Sequence, residues 1–333
     1  MLDFIWSASR TETLEECDLR HYFEYLSDIP KKNLLTYAPF VSGNVIHSFL
    51  ENFYGPDGKP RVKYTCPSSL GGAIKGLWFY SVSDGSYRNK KIEWTHKEDV
   101  FKFADVLDRA GRKIFDRLVQ EEAPILSEFR FGDKKNPLKV RHNDHYHMFS
   151  GAIDQIRRGP VIRDFKLSGS PPSDVTLNHS VALTIYALAF CTLAHFDKRF
   201  REKVEVSDED ASGWGGNPTF IDEKVRIEIY SLGSNEIHTT SRSDRHFLSL
   251  MEKIDGLEEK VREDITNRHF EAKVAIHCGM CSAKKYCDSY LSSVEPKILP
   301  MQLELNYLET NADLQLNDPK IKNQTKRFRF PKE

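Results

Sequence analysis

Two parts of the 333-residue chain carry residue types at spacings that could do chemistry. The first is GAIDQIRRGPVIRDFKL, residues 151–167. Asp154 falls near the end of one short run rich in β-branched residues, and Asp164 and Lys166 fall on the next as D-x-K. Residues two apart on a strand face the same side. Asp164 and Lys166 therefore project together, and a turn at Arg-Gly-Pro can bring Asp154 beside them. Two carboxylates hold a hard divalent cation through oxygen. Such a cation lowers the pKa of its water and neutralises charge on a phosphoryl group. An adjacent ammonium fixes the water or stabilises the charged transition state. This is the outfit of a Mg²⁺-dependent phosphodiesterase. The plain alternative is a salt bridge on a surface hairpin, because D-x-K also arises by chance.

Two further groups add to it. In GNVIHSFLE, Gly43, His47 and Glu51 are spaced i, i+4, i+8 and share one helix face. His47 could complete a metal shell, and Gly43 would let that helix approach another backbone. A structural histidine is the competing reading. The second part is HCGMCSAKKYC, His277 to Cys287, with cysteines at C-x2-C-x5-C. Thiolates select zinc or iron–sulfur clusters, and four cysteines suit either. Cys278, Cys281 and Cys287 need a fourth ligand. Cys17, in a helical context, is the leading choice. Cys66, in a loop, competes with it, Cys191 reads as core, and His277 offers a Cys3His zinc site.

The elements that must position these residues can be read from pattern. Helices are expected over 10–27, with Thr11 or Thr13 as N-cap, and over 39–54, 69–82 and 97–120. From about 125, short runs separated by polar turns predict an antiparallel meander. A mostly buried helix from Ser173 to Phe196, a hairpin over 224–241 and a long amphipathic helix leading to the cysteines follow. Residues 204–218 are acidic and Gly-rich and read as a mobile insertion. Helices beside a mixed sheet make an α/β (α+β) domain. The net charge is −1, so any nucleic-acid surface must be local. No apolar run approaches the roughly 20 residues that span a bilayer, and the start of the chain lacks the pattern of a secretory signal. Six sparse cysteines, three of them clustered, point to a reducing, cytoplasmic-type compartment with thiolates kept for a metal.

In combination these motifs resemble the iron–sulfur branch of the RecB-like nucleases in the PD-(D/E)xK superfamily, which includes the AddB nuclease domain, CRISPR-adaptation nucleases and the exonuclease V group. That branch has one early cysteine and three late ones at C-x2-C-x5-C, matched by Cys17, Cys278, Cys281 and Cys287. Its G-x3-H helix matches Gly43 and His47, its G-x-(I/V)-D strand matches Asp154, and its D-x-K strand matches Asp164 and Lys166. A helical Q-x3-Y follows in the family. Tyr186 fits its tyrosine, but Ala182 stands where glutamine is expected, with Asn178 or His179 one turn earlier as stand-ins. The resemblance implies a restriction-endonuclease-like core over 1–292, a central mixed sheet flanked by helices, with insertions near 55–120 and 200–218 and a C-terminal extension over 293–333. It implies cleavage of DNA, single-stranded or with a free end, by Mg²⁺ or Mn²⁺ on Asp154, Asp164 and His47, with Lys166 serving water and phosphate. It further implies a structural 4Fe–4S cluster, and a helicase or an adaptation complex as partner.

Two stretches mix basic and aromatic residues, which suits backbone tracking and base stacking. They are KIKNQTKRFRFPK, with Lys326, Arg327 and Phe328, and the weaker YRNKKIEW at 87–94. A solvated tail and a solvated loop are the ordinary readings. Two other functions stay open: a DNA-binding scaffold on a degenerate nuclease fold, favoured only by the missing glutamine, and a zinc-stapled interaction protein with a coincidental D-x-K.

Overall fold

Ser7, rather than Thr11 or Thr13, opens the first helix of the computed structural model, which describes residues 4–54, 59–96, 98–167, 172–213 and 225–293. Its Oγ accepts from Arg10 N–H at 3.3 Å, while Thr11 Oγ1 donates back to Ser7 O from inside the helix. Strand β1 (Ile5–Trp6) precedes this helix, α1 (Ala8–Glu16). The expected helix over 10–27 is broken at Cys17, whose backbone is extended at φ −166°, ψ 119°, before α2 (Asp18–His21) and a π turn over Tyr22–Leu26. Then come β2 (Leu35–Tyr37), α3 (Ala38–Tyr54) and α4 (Pro67–Ser81). Residues 87–94 are not a loop: β3 (Ser86–Tyr87) and β4 (Lys90–Glu93) form a hairpin whose turn residues Arg88 and Asn89 both have positive φ. Trp94 packs edge-on against Trp78. Helix α5 (Asp99–Gln120) completes this half.

Five strands follow: β5 (Leu126–Phe131), β6 (Leu138–His142), β7 (His145–Phe149), β8 (Gly151–Arg157) and β9 (Val161–Lys166). Next are α6 (Asp174–His179) and α7 (Val181–Phe196), separated at Ser180, whose Oγ caps α7 by accepting from Leu183 N–H. Then α8 (Lys198–Lys203), α9 (Asp208–Gly213), β10 (Val225–Ser231), β11 (Glu236–Arg242), α10 (Asp244–Asn267) and α11 (Asp288–Ser293) complete the order. Within the stretch expected to be a mobile insertion, Val204, Val206 and Ala211 are buried, and His195 Nδ1 lies 2.9 Å from Ala211 O. These apolar side chains anchor it, and residues 214–218 lie outside the described residues. Nothing in the described residues is a helix long and apolar enough to cross a membrane.

The chain divides into two compact units: Met1–Glu15, Leu50–Lys63 and Gln120–His269; and Glu16–Phe49, Tyr64–Val119 and Phe270–Glu333. The first holds a five-stranded sheet in the order β11-β10-β9-β8-β5 and a three-stranded sheet, β1-β7-β6. The expected meander is thus divided, because β5 pairs directly with β8 while the intervening β6–β7 hairpin joins β1. The β9–β10 pair is parallel and the others in the larger sheet are antiparallel. A parallel pair needs a long crossover, and α6 to α9 supply it. Helix α7 is apolar nearly all round and packs on β8 and β10, as such a helix must. Central β9 is buried on both faces from Val161 to Phe165. Arg163 is therefore paired on one face, its Nη2 2.7 Å from Glu228, and Asp164 lies on the other.

The second unit packs α4 against α5 where glycine is required. A Cβ on Gly111 would sit 2.8 Å from Gly71 Cα, and one on Gly71 would sit 2.6 Å from Asp108 O. A small sheet, β2-β4-β3, and the cysteine segment complete it.

Candidate functional site

The candidate site is built where a β-ladder gives out. Strands β8 and β9 pair from Arg157↔Val161 to Gln155↔Arg163. The next positions opposite each other are Asp154 and Asp164, and there the Asp154 side chain takes over from the ladder: its Oδ2 accepts from Phe165 N–H at 2.7 Å. A carboxylate bonded to a backbone N–H is held in orientation by a charge-assisted bond. Asp154 thus sits mid-strand in β8, not near its end. On the other side, β5 pairs with β8 at Ser127↔Gln155 and Phe129↔Ile153, which puts Glu128 opposite Asp154. Glu128 has φ +46°, a left-handed conformation that costs a non-glycine residue of order 1 kcal/mol or more. Its carboxylate and that of Asp154 offer oxygens within 4.8 Å of each other.

Glu128, Asp154 and Asp164 therefore occupy one cross-strand row over three strands, and directly opposed residues share a face. Glu128 is the member that reading the sequence missed. The signal was available, since SEFRF places one acidic residue within a strand-like run, but only the pairing register shows which residue it opposes.

Lys166 follows Asp164 on the same face. Its Nζ lies 2.8 Å from Asp164 Oδ2, with Lys166 half-exposed and Asp164 buried. The charge of Asp164 raises the Lys166 pKa above its ordinary value against the opposing effect of burial, with Asp154 and Glu12 of α1 adding to the rise. Tyr186 on α7 looks onto the same carboxylates. Burial, and then the charges of Asp164, Asp154, Glu12 and Glu128, push its phenol well above its usual range. Tyr186 is accordingly a neutral hydroxyl beside the row. Asn178, suggested as a stand-in for the missing glutamine, lies on α6, where its Oδ1 accepts from Thr240 Oγ1 at 3.0 Å. The donors Glu128, Asp154 and Asp164 are all hard oxygens, a set that fits Mg²⁺ or Mn²⁺.

His47 lies on α3, in the second unit. The close helix approach expected at Gly43 is not made among the described residues: an added Cβ there meets nothing within 4 Å. Lys326, Arg327 and Phe328 lie outside the described residues.

The second unit also holds the early cysteine and the three late ones. Cys17, Cys278, Cys281 and Cys287 line one cavity. The extended backbone at Cys17 frees Leu19 N–H to bond Glu271 O at 3.0 Å, which draws the chain before the late cysteines alongside α2. Tyr37 Oη donates to Cys281 O at 3.1 Å, and Leu35 N–H to Ser282 O at 2.9 Å. Burial pushes the Cys281 thiol up to about 11, so a metal would have to displace its proton. Arg20, Lys273 and Lys284 border the cavity, a cationic rim suited to an anionic thiolate cluster. Cys66 lies elsewhere, at the N-cap of α4 with Sγ 3.2 Å from Ser68 Oγ, and Cys191 is buried in α7. The side chain of His277 lies outside the described residues.

Comparison with curated proteins gave no match. A family model described as the PD-(D/E)XK nuclease superfamily matches residues 5–288. Nucleases of this superfamily hydrolyse phosphodiester bonds of nucleic acids and use divalent metals, the chemistry for which a row of carboxylates followed by a lysine is suited. With that span taking in the mixed sheet, the D-x-K strand and all four clustered cysteines, the chain belongs to the PD-(D/E)XK nuclease superfamily.

Proposed function

We propose that the chain is a DNA nuclease of the RecB-like iron–sulfur branch, a single-strand exonuclease dependent on Mg²⁺ or Mn²⁺. The observation that carries this reading is the row Glu128, Asp154 and Asp164 with Lys166 on the same face. Those carboxylates would hold the metal, with His47 as a further ligand by the family resemblance. When bound, the ion supplies an activated water and neutralises charge on the scissile phosphate. Lys166, kept as an ammonium by Asp164, orients the water and the phosphate. Asp154, tied to Phe165 N–H, keeps its carboxylate aimed while substrate enters. Tyr186 offers a neutral hydroxyl to a nucleotide sugar or phosphate.

One nuclease domain over 1–292, with insertions near 55–120 and 200–218, accommodates this assignment. Cys17, Cys278, Cys281 and Cys287 would carry a 4Fe–4S cluster whose work is structural. Repair or recombination beside a helicase, or CRISPR adaptation, is the setting this branch implies. The missing glutamine at Ala182 favours one second reading, a binding subunit without catalysis.

The test compares end-labelled linear single strands with closed single-stranded circles, each with Mg²⁺, Mn²⁺ or chelator. Shortening of the linear strand in metal alone, with the circle spared, is the expected result. A nicked circle would mean endonucleolytic cutting. Binding without any product in either metal would overturn the reading in favour of the scaffold.

The cluster has its own test. Cys17→Ser should remove bound iron and lower thermal stability, because metal binding at a site assembled from distant segments is also folding energy. The wild-type protein should be brown from thiolate-ligated iron, whereas a zinc protein is colourless. Unchanged iron in Cys17→Ser, with loss in Cys66→Ser, would place the fourth ligand elsewhere.

A further inference from the structure

RHNDHYH, residues 141–147, sets three histidines within six residues. It is the β6–β7 hairpin, closed by the pair His142↔His145 around a turn with Asn143 at φ +53°. His145 and His147 are two apart on β7 and share a face. Helix α10 presents Asp255 and Glu258, spaced i, i+3, to the three imidazoles. His142 Nδ1 lies 3.1 Å from Asp255 Oδ2. His145 Nε2 lies 2.7 Å, and His147 Nε2 3.2 Å, from Asp255 Oδ1. His142, His147 and Asp255 each offer a ligand atom within 4.8 Å of the others.

The protonation of His147 decides what this cluster is. His147 Nδ1 is 3.1 Å from Glu258 Oε1. That oxygen also accepts Trp6 Nε1–H at 2.9 Å, and Arg262 lies 3.0 Å from Oε2. Indole and guanidinium groups only donate. Glu258 is thus an ionised acceptor, and His147 Nδ1 carries the proton. His147 is fully buried, and its Nε2, 3.2 Å from Asp255 Oδ1, makes no hydrogen bond. In the neutral ring that nitrogen is a buried lone pair close to another acceptor and without a donor.

A cation between them resolves the conflict. A carboxylate that holds the far nitrogen of a metal-bound histidine is the usual outer support of such a ligand. Zinc–nitrogen bonds of 2.0–2.1 Å place tetrahedral ligands about 3.3 Å apart, close to the 3.1 and 3.2 Å at which His142 and His147 lie from Asp255; the exposed His145 ring, at 2.7 Å, stands at hydrogen-bond distance and would move outward to join them. Full protonation of the rings instead would set three like charges together, with the His145 and His147 centroids 4.7 Å apart.

We propose that His142, His145, His147 and Asp255 form a Zn²⁺ site, oriented through His147 by Glu258 and separate from both the carboxylate row and the cysteines. Imidazole and carboxylate donors suit zinc. Four protein ligands leave no open position, which is the form of a structural site. The ion would pin the β6–β7 hairpin to α10.

The full chain is loaded with Zn²⁺, and bound zinc is measured by elemental analysis and X-ray absorption. Wild type should hold one zinc with a nitrogen and oxygen shell near about 2.0 Å and no sulfur at about 2.3 Å. His145→Ala, altered at a half-exposed side chain, should lose that ion or bind it at least 100-fold more weakly. Glu258→Gln should weaken it about 10- to 100-fold. Cys287→Ser should retain the nitrogen-ligated zinc. The site is rejected if all bound zinc has sulfur ligands, if none binds, or if His145→Ala holds nitrogen-ligated zinc as tightly as wild type.

Discussion

Asp164→Asn should lower strand cleavage by at least about 10³-fold, on the order of 4 kcal/mol of transition-state stabilisation, while leaving the protein folded and able to bind DNA. The amide keeps the shape of the side chain, which is 3 % exposed, but surrenders the charge that would hold the metal. The ion pair lost with half-exposed Lys166 contributes only about 0–1 kcal/mol to stability. DNA binding should persist or tighten, since one negative charge leaves a surface that meets phosphates. Asp154→Asn should behave alike in rate, and its neutral oxygen still accepts from Phe165 N–H. Glu128→Gln extends the series to the residue found only through the register. Initial rates on end-labelled single strands, beside a binding isotherm in Ca²⁺, measure both properties. A variant of either aspartate that cuts at the wild-type rate would remove the two-carboxylate site.

Lys166→Ala should cost on the order of 10²-fold or more in rate, the scale for one preorganised charged contact in a transition state. Lys166→Arg should rescue poorly, because a planar guanidinium does not reproduce a compact ammonium at one point. The pH dependence follows from the sign of the shift. Asp164 raises the folded-state pKa of Lys166 above its ordinary value. The ammonium and its pairing are therefore complete at neutral pH and are lost only as pH rises through that raised value. No descending limb in the rate due to Lys166 is expected between pH 7 and about 10. If Lys166 were merely a surface strand residue, both substitutions would shift stability by a few tenths of a kcal/mol and leave the rate unchanged. Iron content matched to wild type separates this effect from damage at the cysteines.

How much of this was legible in the sequence differs from one residue to the next. The β8–β9 hairpin could be read because alternation of side chains is local, and so could the shared face of Asp164 and Lys166. Glu128 could not, because its place opposite Asp154 depends on β5 skipping over β6 and β7 to pair with β8. The same long-range pairing broke the expected meander. Cys17 was chosen over Cys66 from its helical context and from the order and spacing of the family it resembles. The structure adds a physical reason: a break in the helix at Cys17, where Leu19 N–H turns to Glu271. A loop at 87–94 and a mobile insertion over 204–213 were expected for one reason. Polar composition suggests solvent, and composition does not show the few apolar side chains that anchor a segment. The histidine hairpin carried a pattern in full view, yet its acidic partners come from α10, more than a hundred positions away.

The most direct test of the central claim is the single-turnover rate of single-strand cleavage, titrated with Mg²⁺ or Mn²⁺ from a chelated start, for wild type and Asp164→Asn at equal DNA occupancy. The wild-type rate should rise from zero to a plateau with metal, and that of Asp164→Asn should stay near the floor. Coincident curves for the two proteins, or a wild-type rate indifferent to the metal, would contradict a metal held by the carboxylate row.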